Sequence, residues 1–238
     1  AKTLDDLGFF AEEDGDLRLV DDMHILSLIM KKRYPALPLI LFGHSMGSFC
    51  ARVYAAVFGE ELSGLILCGT GELPASAVVL EEPLRFLCKK LGAKAAVPGN
   101  LLDKMGALAV RDRQTDKDWL SRNRENVEKY IADPYCGVPL KLGGMRDIVS
   151  LANSACATGW AFRLPFGLPI MLISGAKDPV GMNGKGVIAC CDNLESAGHS
   201  PEVILYPGDR HEILNEDDRE KVFSDVLSWT QRVLNGEF

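Results

Sequence analysis

Apolar residues recur along this chain with two different periods. From Asp16 to Tyr34, the positions Leu19, Met23, Leu26 and Met30 fall at i, i+4, i+7 and i+11, which predicts one face of a helix. Tyr34-Pro35 ends it, because a residue before proline is pushed out of helical geometry. Leu37 to Phe42 (LPLILF) is a short continuous apolar run, the mark of a buried strand. Gly43 to Gly47 then reads as a sharp turn and Ser48 to Phe58 as a helix. A second buried strand is predicted at 65–68 (LILC), and further strands at 170–174 (IMLIS) and 203–206 (VILY). A helix is expected from Val187 to Ala197. In the last helix Val222, Val226, Trp229 and Val233 share a face.

Strands alternating with helices predict an α/β fold with a mostly parallel sheet. The stretch from Glu72 to Pro165 differs from the rest. It is charged and helix-prone (Arg85 to Lys90, Asp118 to Tyr130, Arg146 to Asn153) and contains no convincing buried strand. The expected division is therefore a core of 1–71 and 166–238 with an inserted helical cap at 72–165. Such a cap would lie over the carboxyl ends of the strands, where sheets of this type bind ligands.

Composition narrows the class. The chain has 238 residues, 47 % hydrophobic and 25 % charged, which are globular proportions. With 33 acidic against 26 basic residues the formal charge is −7, and no Lys/Arg cluster favours nucleic acid or an anionic membrane. The seven cysteines (50, 68, 88, 136, 156, 190 and 191) show neither a Cys-x-x-Cys pair nor a matching His spacing. They read as reduced, mostly buried thiols, consistent with a cytoplasmic location, and no metal site is expected. The Cys190-Cys191 pair reads as core packing.

Candidate chemistry begins at Gly43-His44-Ser45-Met46-Gly47, a G-x-S-x-G pattern between a buried strand and a helix. That context is the geometry of a nucleophile elbow. The serine sits on a strained turn, so Gly43 and Gly47 are expected to be needed where side chains would clash. The Met46 N–H and the helix N-terminus would face a developing oxyanion. A serine needs a base, and the base needs an orienting carboxylate. The elbow predicts the order Ser, acid, His, on loops after successive strands. Asp178 follows the IMLIS strand and His211 the VILY strand. Glu72, after LILC, is the alternative acid. Asp209 is too near His211 in sequence to orient it from a separate loop. His24, His44 and His199 read as structural or solvent-facing.

With these residues in hand, the chain resembles the monoacylglycerol lipase and lysophospholipase branch of the α/β-hydrolases. The resemblance runs through GHSMGSFCARVYAA, LSGLILCGTGE, DWLSRNRENVEKYIADPYCG, GAKDPVGMNGKGV and LYPGDRHEILNE, from Gly43 to the C-terminus. It implies a metal-free, cofactor-free hydrolase of monoacylglycerols, lysophospholipids and related small esters. Ser45 would be the nucleophile, Asp178 the orienting acid and His211 the general base, with the cap forming an acyl tunnel. Val78, Val79, Leu80, Leu84, Phe86, Leu87, Leu101 and Leu102 would then line an acyl site, or bury the cap helices against one another.

The resemblance also carries an expectation about what is absent. Relatives of this kind begin with a His-Gly loop, which gives a second oxyanion N–H, and an Arg-Gly-His-Gly segment; neither motif occurs here. The N-terminal half of the sheet is therefore expected to be missing, leaving LPLILF as a bare edge. A homodimer, or a complementing segment, is expected along 37–42, with membrane contact only through the cap. Two other functions stay open: a non-catalytic or vestigial binding module, and the same triad working as a thioesterase, a perhydrolase or a carbon–carbon bond hydrolase.

Overall fold

In a computed structural model of the chain, the first helix, α1 (Gly15–Arg33), leads into β1 (Ile40–His44), α2 (Met46–Phe58) and β2 (Gly64–Cys68). Four helices follow: α3 (Glu81–Leu91), α4 (Leu101–Leu108), α5 (Arg124–Ala132) and α6 (Leu142–Ala155). The chain then returns through β3 (Ile170–Gly175), α7 (Lys185–Ser196), β4 (Glu202–Tyr206) and α8 (Arg219–Leu234). The structure describes all residues except 1, 2, 4, 5, 73–78 and 98–100, and at 101–103 and 105 it describes the backbone alone.

The four strands form one parallel sheet in the order β1-β2-β3-β4. β2 and β3 are buried along their whole length, as their unbroken apolar sequences require of central parallel strands. Their side chains alternate between two cores. Leu65, Leu67, Ile170 and Leu172 meet Ala51 and Ala55 of α2 and Val187, Cys190 and Leu194 of α7. Ile66, Cys68, Met171 and Ile173 meet Val222 and Trp229 of α8 on the other face. A third cluster joins α1, α2 and α6 through Val20, Cys50, Tyr54 and Leu151.

Three expectations need correction. The first strand starts at Ile40 rather than Leu37, because pairing with β2 begins at Ile40–Gly64 and Pro38 has no N–H to give a ladder. It is also only partly buried, being an edge strand whose other side meets no strand among the described residues. The buried side of α1 carries Asp16, Val20 and Ser27, with Leu19 and Met23 at its flanks. Leu26 and Met30 are exposed, and so are Leu17, Ile25, Leu28 and Ile29. Finally, the helix expected from Asp118 starts at Arg124, where the Asn123 side chain caps it by accepting the Asn126 N–H at 3.0 Å. Residues 118–123 are used differently, as described below.

Of the predicted cap-lining residues, Val79, Leu80, Phe86 and Leu87 are exposed and Leu84 is half-buried. Val78 and the side chains of Leu101 and Leu102 lie outside the described residues. All seven cysteines are free, and five of them are buried, including the adjacent Cys190 and Cys191. Among the described residues, no helix is long and apolar enough to cross a membrane.

Candidate active site

The carboxyl ends of the four strands lie side by side, and each is followed by a loop. Ser45 comes directly after β1, Gly69 after β2, Asp178 three residues past β3 and His211 five residues past β4. Parallel pairing puts these loops on one edge of the sheet, so residues far apart in sequence converge.

Ser45 adopts φ 55° and ψ −123°, a positive-φ conformation that a non-glycine residue rarely holds. Its backbone N–H donates to the Cys68 carbonyl at 2.9 Å, which ties the turn to β2. A Cβ at Gly43 would lie 2.3 Å from the Gly47 carbonyl oxygen and 2.8 Å from the Ala51 methyl. Glycine is therefore required at Gly43. The expected clash at Gly47 is not found, because a Cβ there meets nothing within 4 Å. As the first residue of α2, Met46 offers an N–H that no intrahelical carbonyl takes.

The Ser45 Oγ lies 2.7 Å from His211 Nε2, and His211 Nδ1 lies 2.9 Å from Asp178 Oδ2. A carboxylate can only accept, so Nδ1 carries the proton and Nε2 is left to accept from the serine hydroxyl. Asp178 and His211 are both buried. The Asp178 carboxylate also accepts from Ser174 Oγ at 3.2 Å and from the Val180 N–H at 2.9 Å. The loops after β3 and β4 touch so closely that a Cβ at Gly175 would lie 2.1 Å from the Arg210 carbonyl oxygen. Glu72, the alternative acid, is committed elsewhere. It accepts from Arg52 Nη2 at 2.7 Å, while Arg52 Nη1 donates to the Gly71 carbonyl at 2.9 Å and the guanidinium stacks 4.0 Å over the Trp160 ring.

Two of the remaining histidines match their structural reading. His24 stacks on Phe58 with ring centroids 3.7 Å apart, and His199 Nε2 lies 3.1 Å from the Ala161 carbonyl. His44 is closer to the chemistry than its sequence position implied. Its ring lies 4.8 Å from the His211 ring, and its Nε2–H donates to the His211 carbonyl at 3.2 Å. Burial, with the neighbouring His211 second, lowers its pKa. His44, His211 and Glu212 form a group with metal-ligating atoms within 4.8 Å of one another, but both His211 nitrogens are already engaged by Ser45 and Asp178.

A second polar network, not foreseen from sequence, joins the 118–123 segment to the His211 loop. Glu216 is fully buried, and its carboxylate accepts from Ser121 Oγ and from the N–H groups of Arg122, Asn123 and Arg210 at 2.9 to 3.2 Å. The donors at 121–123 lie more than 90 residues upstream, so no local pattern marks the glutamate. Asp209 is also fully buried. Arg122 Nη2 lies 2.9 Å from its Oδ1 as an ion pair without hydrogen-bond alignment. Burial, reinforced by the negative charge of Asp218, pushes the Asp209 carboxyl up to about 7.

The sequence and the fold recur in known proteins. The hydrolase family described as serine aminopeptidase, S33, matches residues 12–218. The chain belongs to this family. It is 29 % identical over 212 residues to a monoacylglycerol lipase of Mycolicibacterium smegmatis, a match covering 88 % of this chain and 68 % of that protein. It is 26 % identical to the human monoglyceride lipase, over 93 % of this chain and 70 % of the relative. Among solved structures, a thermostable carboxyl esterase from Bacillus coagulans superposes with a TM-score of 0.84 at 35 % identity. That match covers 90 % of this chain and 71 % of the esterase. An open-form lipase gives 0.81 at 28 % identity, covering 93 % of this chain and 74 % of the lipase. The chain is thus an α/β-hydrolase of the monoacylglycerol lipase branch and a carboxylic ester hydrolase by class.

Proposed function

We propose that the enzyme hydrolyses monoacylglycerols, lysophospholipids or similar small acyl esters through Ser45, His211 and Asp178. The observation that carries this reading is the unbroken path from Ser45 Oγ to His211 Nε2 at 2.7 Å and from His211 Nδ1 to Asp178 at 2.9 Å. His211 removes the hydroxyl proton as Oγ bonds to the ester carbonyl carbon, and the Met46 N–H faces the resulting oxyanion. The intermediate collapses, the carbon–oxygen bond to the alcohol breaks, and the proton on Nε2 passes to the departing oxygen. Water, deprotonated by the same nitrogen, then releases the acid and regenerates Ser45. Asp178 holds the imidazole in the required tautomer throughout.

The segment 72–165 acts as a cap over this site, a reading supported by the contact of residues 118–123 with the His211 loop. The named lipase relatives support an acylglycerol substrate, and seven free thiols support a reducing compartment such as the cytoplasm. The test is hydrolysis of p-nitrophenyl esters from acetate to palmitate, and of monoacylglycerols, by the 238-residue chain. Ser45→Ala is expected to lower kcat by about three decades or more with the fold unchanged. Turnover that survives Ser45→Ala contradicts the assignment.

A further inference from the structure

We propose that Trp119 forms the leaving-group wall of the Ser45 site, so that it selects for the alcohol portion of the ester and not for the acyl chain. The inference rests on the ester-hydrolase reading above and adds a subsite to it.

The indole of Trp119 lies beside the imidazole of His211, with ring centroids 5.1 Å apart and planes inclined by 37°. Its placement is fixed from several directions. The residues flanking Trp119 are bonded to the residues flanking His211. The Asp118 carbonyl accepts from Arg210 Nη1 at 2.6 Å, and the Leu120 carbonyl accepts from the Glu212 N–H at 2.7 Å. Glu216 then binds the next three residues, 121–123, to the same loop. On another side, the indole occupies space that exists only because residue 106 is glycine, since a Cβ there would lie 2.6 Å from ring atoms Cγ and Cδ2. Trp119 is nevertheless only half-buried, which leaves part of the residue exposed.

The chemistry says which part of a ligand meets that surface. The leaving oxygen is bonded to the carbon that Ser45 Oγ attacks, and it takes its proton from His211 Nε2. It must therefore lie about 3 Å from that nitrogen. Carbons attached to that oxygen fall beside the imidazole, within reach of the neighbouring indole. The acyl chain leaves the carbonyl carbon in a different direction. After the alcohol has departed, the acyl-enzyme no longer contains the group that Trp119 contacts, so the indole has no leaving-group contact to contribute to deacylation.

This difference gives a test that a purely structural tryptophan does not pass. Methyl, phenyl and glyceryl butyrate share one acyl-enzyme and differ only in the alcohol. Trp119→Ala is expected to lower kcat/KM for the phenyl and glyceryl esters roughly tenfold more than for the methyl ester. The rate of deacylation, read from single-turnover decay of the butyryl-enzyme, should change less than twofold. Trp119→Phe, which keeps an aromatic ring in the slot, should recover most of the preference and covers the case in which Trp119→Ala fails to fold. Equal losses across the three esters, or a slower deacylation step, overturn the inference. Absence of turnover in the wild-type chain is a separate result: it overturns the ester reading itself and this subsite with it.

Discussion

Gly43 and Gly47 occupy symmetric places in one sequence motif but carry different constraints. At Gly43 a methyl group would run into the backbone of Gly47 and the side chain of Ala51, whereas at Gly47 it would meet open space. Gly43→Ala is therefore expected to destabilise the chain by about 1–3 kcal/mol, and Gly47→Ala to change it by no more than about 0.5 kcal/mol. Thermal unfolding of both variants checks this, and equal losses would count against the described elbow. The convergence of Ser45, His211 and Asp178 was legible in the sequence, because each follows a strand and the role proposed for one predicts the next. The sequence said less about the choice of acid. Glu72 is excluded by the contact of Asp178 with His211 and by its own ion pair with Arg52, 20 residues upstream on α2, whose burial has no sequence signature. Trp119 lay within a segment quoted for its resemblance, yet nothing local showed that it would meet His211, 92 residues further along the chain.

At the scale of elements, apolar runs located β2, β3, β4 and α7 to within two residues and picked out the face of α8 that meets the core, since burial on a sheet leaves a strong periodic record. The pattern misled where one element meets another through polar groups. Residues 118–123 look helical by composition, but their backbone is spent on Glu216 and on the loop after β4. That junction contains Asp209, whose carboxyl ionises near 3.8 in an unfolded chain and near 7 when buried beside Asp218 and Glu216. The folded state thus holds its proton to higher pH than the unfolded state does. Its contribution favours folding least above pH 7, and stability is lost as pH rises from about 4 to 7, by up to about 1.4 kcal/mol per pH unit. Asp209→Asn should flatten this slope relative to the wild type in urea unfolding measured from pH 4 to 8. Parallel slopes would show that Asp209 does not titrate in this window.

For the whole molecule, an exposed apolar surface beside β1 is left without a partner among the described residues. β1 presents one edge without a partner strand among the described residues, and Phe42 is exposed on it. Beside it, Met30, Tyr34, Leu37, Pro38 and Leu39 line a shallow groove between the end of α1 and the entry to β1. Such an edge is a template for pairing, and a second copy of the chain would offer the same edge across a two-fold axis. The chain is therefore expected to sediment as a dimer at micromolar concentration, and Phe42→Lys with Ile25→Glu to shift it toward monomer. A wild-type chain that stays monomeric and folded on dilution contradicts this. The expectation of a bare edge came from LPLILF and the resemblance together. The apolar side of α1 opposite its buried stripe was not legible, because a helix with two apolar faces does not reveal which one meets the core.

A nucleophilic Ser45 in an ester hydrolase must carry a covalent label after reaction, and mapping that label is the decisive measurement. The chain should be incubated with a fluorophosphonate, or quenched during turnover of p-nitrophenyl butyrate, and then digested and mapped by mass spectrometry. The account predicts one added phosphonyl or butyryl group, on the peptide containing Ser45, and none in His211→Ala under the same conditions. A label on any other residue, or a folded chain that takes no label while Ser45 and His211 are intact, would contradict it.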